Sequence, residues 1–394
     1  MPDLPTNTLL CGDALTTLKT LPDNAVQCCI TSPPYYLLRS YLPDDHPDKT
    51  LEIGLEETPQ AYVARLVAVF HEVRRVLRPD GSLWLNLGDT FANDTKFGGH
   101  PGGKHQADLH AMIRPRHSTR LPAKSLMGIP WRVAFALQDD GWILRSDVIW
   151  AKANPLPEPV TDRPSRAHEY LFLFVKQPHY YYDADAIREP LAPRTHTTYG
   201  SRHRPQGNDA LGKVKSDNWG RTIATRQPKR TPDGAIAGAN KKSVWLLASE
   251  PFSGAHYAVM PTRLVEPCVL AGSSPSACEV CGAPWQRVTK RDLMVRRPGP
   301  KAGSYGSRTT DGISGTMLTP ARYATLGWQS TCTCPDMTGT GQCVILDPFC
   351  GVGTVALIAA RHGRSYLGIE LNAVYLALAH QRLSTLQPQM WTAR

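Results

Sequence analysis

Short apolar runs alternate with stretches of helical periodicity along most of the chain. Thr8–Cys11 and Ala25–Ile30 have the pattern of short buried strands, each followed by a polar or proline-rich turn. Thr58 followed by Pro59 predicts a helix start, with the hydroxyl as cap and proline in the first turn. The predicted apolar face of this helix comprises Val63, Leu66, Val67, Phe70, Val73 and Leu77. Alternating strands and helices predict an α/β fold.

The alternation continues to the C-terminus with one long interruption. Pro79-Asp80-Gly81 predicts the end of the first long helix, and residues 176–242 favour neither helix nor strand. The further predicted helices cover residues 131–137, 262–270, 354–361 and 373–383. The further predicted strands cover residues 82–87, 142–150, 170–175, 243–247, 343–346 and 365–369. A length of 394 residues agrees with two to three domains.

Charge is distributed unevenly over this pattern. The chain has 44 Lys and Arg against 34 Asp and Glu, a net charge of +10. Three segments have a net positive charge: +5 in residues 96–124, +8 in residues 188–242 and +6 in residues 286–308. The rest of the chain therefore has a net charge of −9. Such basic segments are typical of nucleic-acid binding, although solvated loops have the same composition. Because neither a signal-peptide pattern nor an apolar run of membrane-spanning length is found, we expect reduced or metal-bound cysteines.

A glycine-rich turn is predicted between a strand and a helix near the C-terminus. Gly351 and Gly353 allow a tight turn and a close approach of the backbone to a ligand. Glu370 ends the next predicted strand, nineteen residues after Gly351, where a carboxylate can bind both hydroxyls of a ribose. Tight packing of a helix on a strand would explain the glycines alone. Asp347 and Phe349 in the same turn favour a ligand site.

A second candidate site follows the predicted strand that ends at Ile30. Its sequence is Thr31-Ser32-Pro33-Pro34-Tyr35. The two prolines hold the backbone extended and remove two amide donors, so that carbonyl groups can point outward. The amino group of cytosine or adenine is a weak nucleophile because its lone pair is delocalised into the ring. Ser32 Oγ and the Pro33 carbonyl can accept its two N–H bonds and favour a pyramidal nitrogen, while Tyr35 stacks on the base; an ordinary Pro-Pro loop is the alternative.

The two sites together resemble those of the DNA amino-methyltransferases, whose tetrapeptide has the form (Ser/Asp/Asn)-Pro-Pro-(Tyr/Phe). The tetrapeptide precedes the glycine turn by 315 residues, an order that resembles the β group of this family. The resemblance implies a Rossmann-like methyltransferase fold with a mostly parallel sheet in permuted motif order, and S-adenosyl-L-methionine as the methyl donor. It implies that the catalytic residues are Ser32, Pro33, Pro34 and Tyr35. The implied cofactor-binding residues are Asp13, Asp347, Pro348, Phe349, Gly351, Gly353, Thr354, Glu370 and Asn372.

The resemblance covers residues 6–180 and 243–385. Besides the two sites, the matching segments are 11–13, 78–83, 157–163, 168–170 and 256–261. In this family the Thr-Ser-Pro-Pro-Tyr form mostly serves cytosine N4 and the Asp form adenine N6. Ser32 therefore predicts a cytosine-N4 DNA methyltransferase that acts on a flipped base. Adenine-N6 methylation, RNA methylation and a zinc-containing DNA-binding protein with an inactive core are the alternatives.

Four cysteines have the spacing of a metal site. Cys278 and Cys281 form a CxxC pair followed by glycine, and Cys332 and Cys334 follow about fifty residues later. Four thiolates suit a closed structural Zn²⁺ site, which would bring together the ends of the basic segment 286–331. Unrelated cysteines in an irregular insertion are the alternative. The other cysteines are predicted to be core or close-packed residues, and a metal site is not expected at His100, His105, His110 and His117.

These predictions divide the chain into four parts. They are the catalytic half of the core (1–180, with a basic loop at 92–124), the target-recognition region (181–245), the cofactor-binding half (246–274 and 342–394) and the zinc-binding insertion (275–341). The expected partner is double-stranded DNA, with no membrane association. The expected location is the cytoplasm of a prokaryote, or of a phage-infected cell, in association with the nucleoid. A homodimer and a cognate restriction endonuclease are left open.

Overall fold

The computed structural model describes residues 4–92, 121–189, 239–250, 259–292, 295–296, 317–319, 322–335 and 340–386. The chain divides into two compact units. Unit 1 comprises Met1–Tyr182, Ser243–Trp285 and Ser330–Arg394, and unit 2 comprises Asp183–Lys242 and Gln286–Gln329. Most of the predicted basic loop 92–124 with its four histidines, and most of the predicted target-recognition region, lie outside the described residues.

The helices confirm the predicted pattern closely. Within the described ranges they are α1 (Ala14–Lys19), α2 (Pro59–Val76), α3 (Ile129–Asp139), α4 (Thr262–Gly272), α5 (Thr354–Arg361) and α6 (Ala373–Ser384). As predicted, α2 begins where the Thr58 hydroxyl accepts a hydrogen bond from the Ala61 amide at 3.1 Å. The short helix α1 was not predicted from the sequence. None of these helices is long and apolar enough to cross a membrane.

The strands lie mostly in one large sheet. They are β1 (Thr8–Cys11), β2 (Val26–Thr31), β3 (Leu77–Leu87), β4 (Ile143–Lys152), β5 (His168–Val175), β6 (Val244–Leu247), β7 (Gln286–Asp292), β8 (Val295–Arg296), β9 (Met317–Thr319), β10 (Arg322–Gln329), β11 (Val344–Asp347) and β12 (Ser365–Glu370). The eight strands of unit 1 follow the order β1-β12-β11-β2-β3-β5-β4-β6, and only β5 is antiparallel to its neighbours. The predicted α/β fold with a mostly parallel sheet is confirmed.

Two details around α2 differ from the sequence prediction. Tyr62, Val69 and Val76 are buried on α2, whereas Val63 and Val67 of the predicted face are only half-buried. The buried face is wider because α2 packs against α1 and α3 as well as against the sheet. α2 ends at Val76, before the predicted stop at residues 79–81, because Leu77 already pairs with Val26 of β2. The pairing is then interrupted at residues 78–81 and resumes at Ser82, the predicted start of this strand.

Unit 2 contains two short antiparallel strand pairs that the sequence did not predict. β7 pairs with β10, and β8 pairs with β9. Arg287 on β7 donates hydrogen bonds from Nε to both carboxylate oxygens of Asp183, at 3.1 and 2.9 Å. The segment between the two cysteine pairs therefore contains regular strands, although its basic composition suggested a loop.

The direction of the strands in unit 1 determines where a ligand can bind. β1, β2, β3, β4, β11 and β12 all run the same way, so their carboxyl ends meet at one edge of the sheet. The antiparallel strand β5 begins at this same edge. Below the edge, the core is filled by large buried aromatic side chains such as Trp84, Phe172 and Phe174. Ligand sites in such sheets are typically found just beyond the carboxyl ends of the strands.

Candidate active site

A cavity of about 800 Å³ lies at the carboxyl edge of the unit 1 sheet. Its walls are formed by residues that follow β1, β2, β3, β11 and β12 and by the first residues of β5. The predicted site residues that line it are Asp13, Ser32, Pro33, Pro34, Tyr35, Asp347, Pro348, Phe349, Gly351, Thr354, Glu370 and Asn372. The two candidate sites, 315 residues apart in sequence, therefore share one cavity.

Asp347 is the last residue of β11 and is almost completely buried at the floor of this cavity. Its Oδ1 accepts hydrogen bonds from the Thr31 hydroxyl at 2.6 Å and from the Phe349 amide at 3.1 Å. Burial raises the pKa of Asp347 to about 7, against the lowering effect of these two bonds. The carboxyl group is thus poised to ionise when a cation enters the cavity.

Glu370 ends β12 and holds the glycine turn in place. One carboxylate oxygen accepts the Gly351 amide at 2.8 Å, and the other accepts the Asn372 amide at 2.9 Å. Burial raises the pKa of Glu370. Each carboxylate oxygen retains a further lone pair, so Glu370 can still accept hydrogen bonds from a ligand.

Two other predicted cofactor residues are helix caps in this structure. Asp13 Oδ2 accepts the Thr16 amide at 2.8 Å at the start of α1. Asn372 Oδ1 accepts the Val374 amide at 2.8 Å at the start of α6, and its Nδ2 donates to the Tyr41 carbonyl at 2.9 Å. Both side chains therefore stabilise the loops that form the cavity wall.

Gly353 is the one predicted cofactor residue that does not line the cavity. It precedes α5 with a φ of +73°, and an added Cβ would lie 3.0 Å from the Cβ of Ala379 on α6. Its visible role is the close packing of α5 against α6. Thr354, the next residue, lines the cavity, and its hydroxyl accepts a hydrogen bond from Arg382 at 3.0 Å.

The tetrapeptide is held in place by contacts with α2 and with the end of β3. The Pro34 carbonyl accepts a hydrogen bond from the Tyr62 hydroxyl of α2 at 2.8 Å. The Tyr35 ring lies directly against Gly88 at the end of β3, where an added Cβ would be 2.5 Å from Tyr35 Cε2. Only glycine leaves room for the ring at this point.

The Tyr35 hydroxyl belongs to a polar cluster that the sequence analysis did not assign to the site. It donates to Glu169 Oε2 at 2.6 Å and lies 3.2 Å from Asn86 Oδ1. Lys152 Nζ lies 2.5 Å from Glu169 Oε1. Burial, together with the neighbouring Glu169, raises the pKa of Tyr35 well above its usual value, so the hydroxyl keeps its proton.

Asn86, Lys152 and Glu169 lie on three different strands, β3, β4 and β5, and meet at the cavity edge. Sequence patterns gave no sign of this meeting, because it depends on the antiparallel pairing of β5 with its two neighbours. The one available signal was the segment 168–170, which matches the family in sequence.

The four predicted metal-ligating cysteines come together near the amino-terminal ends of β2 and β3, whereas the cavity lies at the carboxyl ends of the strands. Their sulfur atoms all lie within 4.8 Å of one another. Gln27, at the start of β2, donates to the Gly282 carbonyl at 2.8 Å, and Arg78, near the start of β3, donates to the Cys281 carbonyl. Four converging thiols are the donor set of a tetrahedral structural Zn²⁺ site. The cluster comprises Cys278, Cys281, Cys332 and Cys334.

The remaining cysteines follow the sequence prediction with one exception. Cys28, Cys29, Cys268, Cys343 and Cys350 are buried. Cys11 is exposed, and its prediction as a core residue is wrong because it ends β1, an edge strand of the sheet.

Comparisons with known proteins agree with this geometry. The sequence model of a family described as DNA methylase matches residues 26–278 and 336–381. The chain is 36% identical over 378 residues to the type II methyltransferase M.XycI of Xanthomonas campestris pv. cyanopsidis, covering 96% of this chain and 87% of that protein. It is 34% identical to the type II methyltransferase M.Cfr9I of Citrobacter freundii, over 95% and 87% of the two chains.

A solved structure shows the same fold at low sequence identity. The PvuII DNA methyltransferase (cytosine-N4-specific) aligns with a TM-score of 0.50 and 14% identity, covering 98% of this chain and 89% of that chain. The family match spans most of the chain, and the order of its two motifs is that of the permuted group. The chain belongs to the DNA methylase family, as a β-group amino-methyltransferase.

Proposed function

We propose that this enzyme transfers a methyl group from S-adenosyl-L-methionine to the N4 amine of a cytosine flipped out of double-stranded DNA. The observation that carries the proposal is the single cavity lined by both the tetrapeptide at residues 32–35 and the glycine turn with Glu370. A base bound at the tetrapeptide and a donor bound at the turn would lie side by side. Direct methyl transfer requires mainly this alignment.

The half of the cavity beside β11 and β12 fits a nucleoside with a cationic group. Glu370 would accept hydrogen bonds from ribose hydroxyls through the lone pairs that the backbone amides leave free. Asp347 offers a negative charge to a cation, and the Phe349 ring offers an aromatic face to a sulfonium. When bound here, S-adenosyl-L-methionine supplies the methyl group.

The other half of the cavity fits an exocyclic amine. Tyr62 already occupies the Pro34 carbonyl, which favours Ser32 Oγ and the Pro33 carbonyl as acceptors for the two N–H bonds. Tyr35 would stack on the base, a contact worth roughly 1–3 kcal/mol. The sequence from Thr31 to Tyr35 has the Thr-Ser-Pro-Pro-Tyr form, which in this family mostly serves cytosine N4, and this supports cytosine N4 rather than adenine N6 as the target.

Nucleoside analysis of duplex DNA treated with the enzyme and the donor tests this proposal. We expect N4-methylcytosine, and N6-methyladenine in its place would reverse the choice of base. Ser32→Ala should slow transfer strongly while leaving donor affinity within about twofold, because Ser32 is expected to touch the amine and not the donor. DNA without any methylated nucleoside, or methylation of RNA alone, would contradict the proposal.

We propose residues 181–245 as the target-recognition region, and cytoplasmic action together with a cognate restriction endonuclease. Support comes from the basic balance of residues 188–242 and from the type II names of the relatives. Sequencing modified bases in DNA from cells that express the chain would give the recognised site. Exchange of residues 190–238 for those of a relative with another site should then change it.

We also propose that the four clustered cysteines bind one structural Zn²⁺. The chain leaves unit 1 after Trp285 and returns at Ser330, so each pair of cysteines stands at one of these two points. A metal would hold the two points together from the edge of the sheet that lies away from the cavity. Its role would be structural.

Metal analysis of purified variants tests the zinc proposal. We expect one zinc per wild-type chain and a loss of zinc in Cys278→Ser. Cys11→Ser is the matched control, because Cys11 is exposed and lies outside the cluster. Equal zinc content in all three proteins, or none in the wild type, would contradict a thiolate site.

A further inference from the structure

The proposed reaction assigns no role to Asn86, Lys152 and Glu169, the polar cluster around the Tyr35 hydroxyl. We propose that Glu169 is a positioning residue for methyl transfer: it orients the Tyr35 and Ser32 hydroxyls so that Ser32 turns its lone pairs towards the target amine, and it receives the proton that this amine releases. The proposal rests on the proposed function, because it concerns the same reaction.

The Glu169 carboxylate forms an ion pair with Lys152. Lys152 Nζ lies 2.5 Å from Glu169 Oε1, and the two side chains are only 25% and 13% exposed. An ammonium group has only donors, and an ionised carboxylate has only acceptors. Glu169 Oε2 therefore accepts the bond that joins it to the Tyr35 hydroxyl at 2.6 Å.

The Tyr35 hydroxyl has a single proton to donate. Asn86 Oδ1 also lies within reach of this hydroxyl, at 3.2 Å, but the shorter and charge-assisted bond goes to Glu169. The Asn86 amide nitrogen donates to the Tyr170 carbonyl at 3.0 Å and towards Glu169 Oε2 at 3.3 Å, which fixes the orientation of the amide. The Tyr35 hydroxyl therefore donates its only proton to Glu169.

The Ser32 hydroxyl lies next to that of Tyr35. Its Oγ lies 3.5 Å from the Tyr35 hydroxyl oxygen, which has no second proton to give. Ser32 must then be the donor in this contact, and both lone pairs of its Oγ remain for the N–H bonds of the substrate. Without Glu169, Tyr35 could donate to Ser32 and occupy one of these lone pairs. Acceptors fixed before the reaction need no reorganisation during it.

The proton balance uses the same three groups. During transfer the amine lone pair forms the N–C bond, and the electron pair of the broken C–S bond stays on sulfur. The nitrogen is then cationic and carries one proton too many. This proton moves to Ser32 Oγ, the Ser32 proton moves to the Tyr35 oxygen, and the Tyr35 proton moves to Glu169. Serine and tyrosine end neutral, and Glu169 later releases the proton to water.

Single-turnover methyl transfer to duplex DNA tests this role. We expect Glu169→Gln and Tyr35→Phe each to slow transfer by about a hundredfold, the usual scale of a proton-transfer contribution. Donor and DNA dissociation constants should stay within about twofold. Because the two residues belong to the same series of hydrogen bonds, the double variant should be no slower than the slower single variant. Glu72→Gln is the matched control, since Glu72 is also a partly buried carboxylate in an ion pair, with Arg75, but does not line the cavity.

Chemical rescue separates this role from a merely structural one. Formate should speed transfer by Glu169→Ala, because it can replace the missing carboxylate, and should leave the control variant unchanged. Wild-type rates in Glu169→Gln, multiplying losses in the double variant, or failure of formate would each overturn the role of Glu169 while wild-type activity stands. A wild-type enzyme that binds donor but methylates no DNA would overturn the proposed function itself.

Discussion

Gly88 illustrates how one residue without a side chain controls the position of another. The Tyr35 ring lies where a Cβ on residue 88 would be, 2.5 Å from Cε2 and 2.9 Å from Cδ2. In Gly88→Ala the ring must move, which also breaks the alignment of its hydroxyl with Glu169. We expect transfer to fall by about tenfold to a hundredfold, since displacement of an aligned group by 1 Å can cost that much.

Donor affinity in Gly88→Ala should stay near the wild-type value, because the donor half of the cavity is formed by other strands. The measurement is single-turnover transfer beside calorimetric binding of the donor. Tyr35→Ala supplies the control: once the ring is absent, Gly88→Ala should cause no further loss. A full additional loss in that double variant would show that Gly88 acts through some other contact.

Asp347 should make donor binding depend on pH. Its pKa of about 7 comes from burial, so the neutral form dominates below pH 7 in the free enzyme. A cationic donor favours the ionised form, and affinity should therefore rise as pH rises from 6 to 8, by about tenfold. Calorimetry at both pH values checks the sign, and Asp347→Asn should remove most of the dependence. Tighter binding at pH 6 than at pH 8 would contradict the assignment.

At the scale of elements, local sequence signals predicted the helices and strands well, whereas contacts between residues distant in sequence were not predicted. The bounds of α5 agree with the predicted helix 354–361, because the glycine turn and the apolar run that define it are adjacent in sequence. The pairing of Leu77 with β2 was missed, since its partner Val26 lies far away in the sequence, whereas the local signal at residues 79–81 coincides with the break in pairing before Ser82. Glu169 was missed for the same reason, as its partner Tyr35 lies 134 residues away.

One buried glutamine on β2 forms hydrogen bonds with both β11 and the segment that carries the cysteine cluster. Gln27 is 2% exposed, donates to the Gly282 carbonyl at 2.8 Å and accepts the Val344 amide at 2.6 Å. Gln27→Leu would leave both backbone groups without this partner. We expect the free energy of unfolding to fall by about 3 kcal/mol, measured by urea denaturation.

Gln381→Leu is the matched control for this substitution. Gln381 is exposed on α6, so the change should alter the free energy of unfolding by less than about 0.5 kcal/mol. Equal denaturation midpoints for Gln27→Leu and the control would show that the buried bonds contribute little. A lowered midpoint together with easier loss of zinc would connect the glutamine to the cluster.

At the scale of the whole molecule, charge and chemistry occupy different parts of the sequence. The excess of positive charge lies in the segments 96–124, 188–242 and 286–308. The rest of the chain has a net charge of −9 and includes every residue that lines the cavity. DNA affinity should therefore depend steeply on salt, because each neutralised phosphate releases counterions. Donor affinity should depend on salt far less.

Paired substitutions in the basic segment 188–242 test this separation. In Lys229→Gln/Arg230→Gln, the slope of log affinity for DNA against log salt should become less negative by up to about two, one for each lost phosphate contact. Lys19→Gln, on the exposed side of α1, is the control and should leave the slope unchanged. Fluorescence anisotropy on a labelled duplex between 50 and 200 mM salt covers roughly the range in which such contacts are lost. An unchanged slope in the double variant would show that these two residues are not part of the DNA interface. A less negative slope with an unchanged single-turnover rate at saturating DNA would show that they contribute to binding alone.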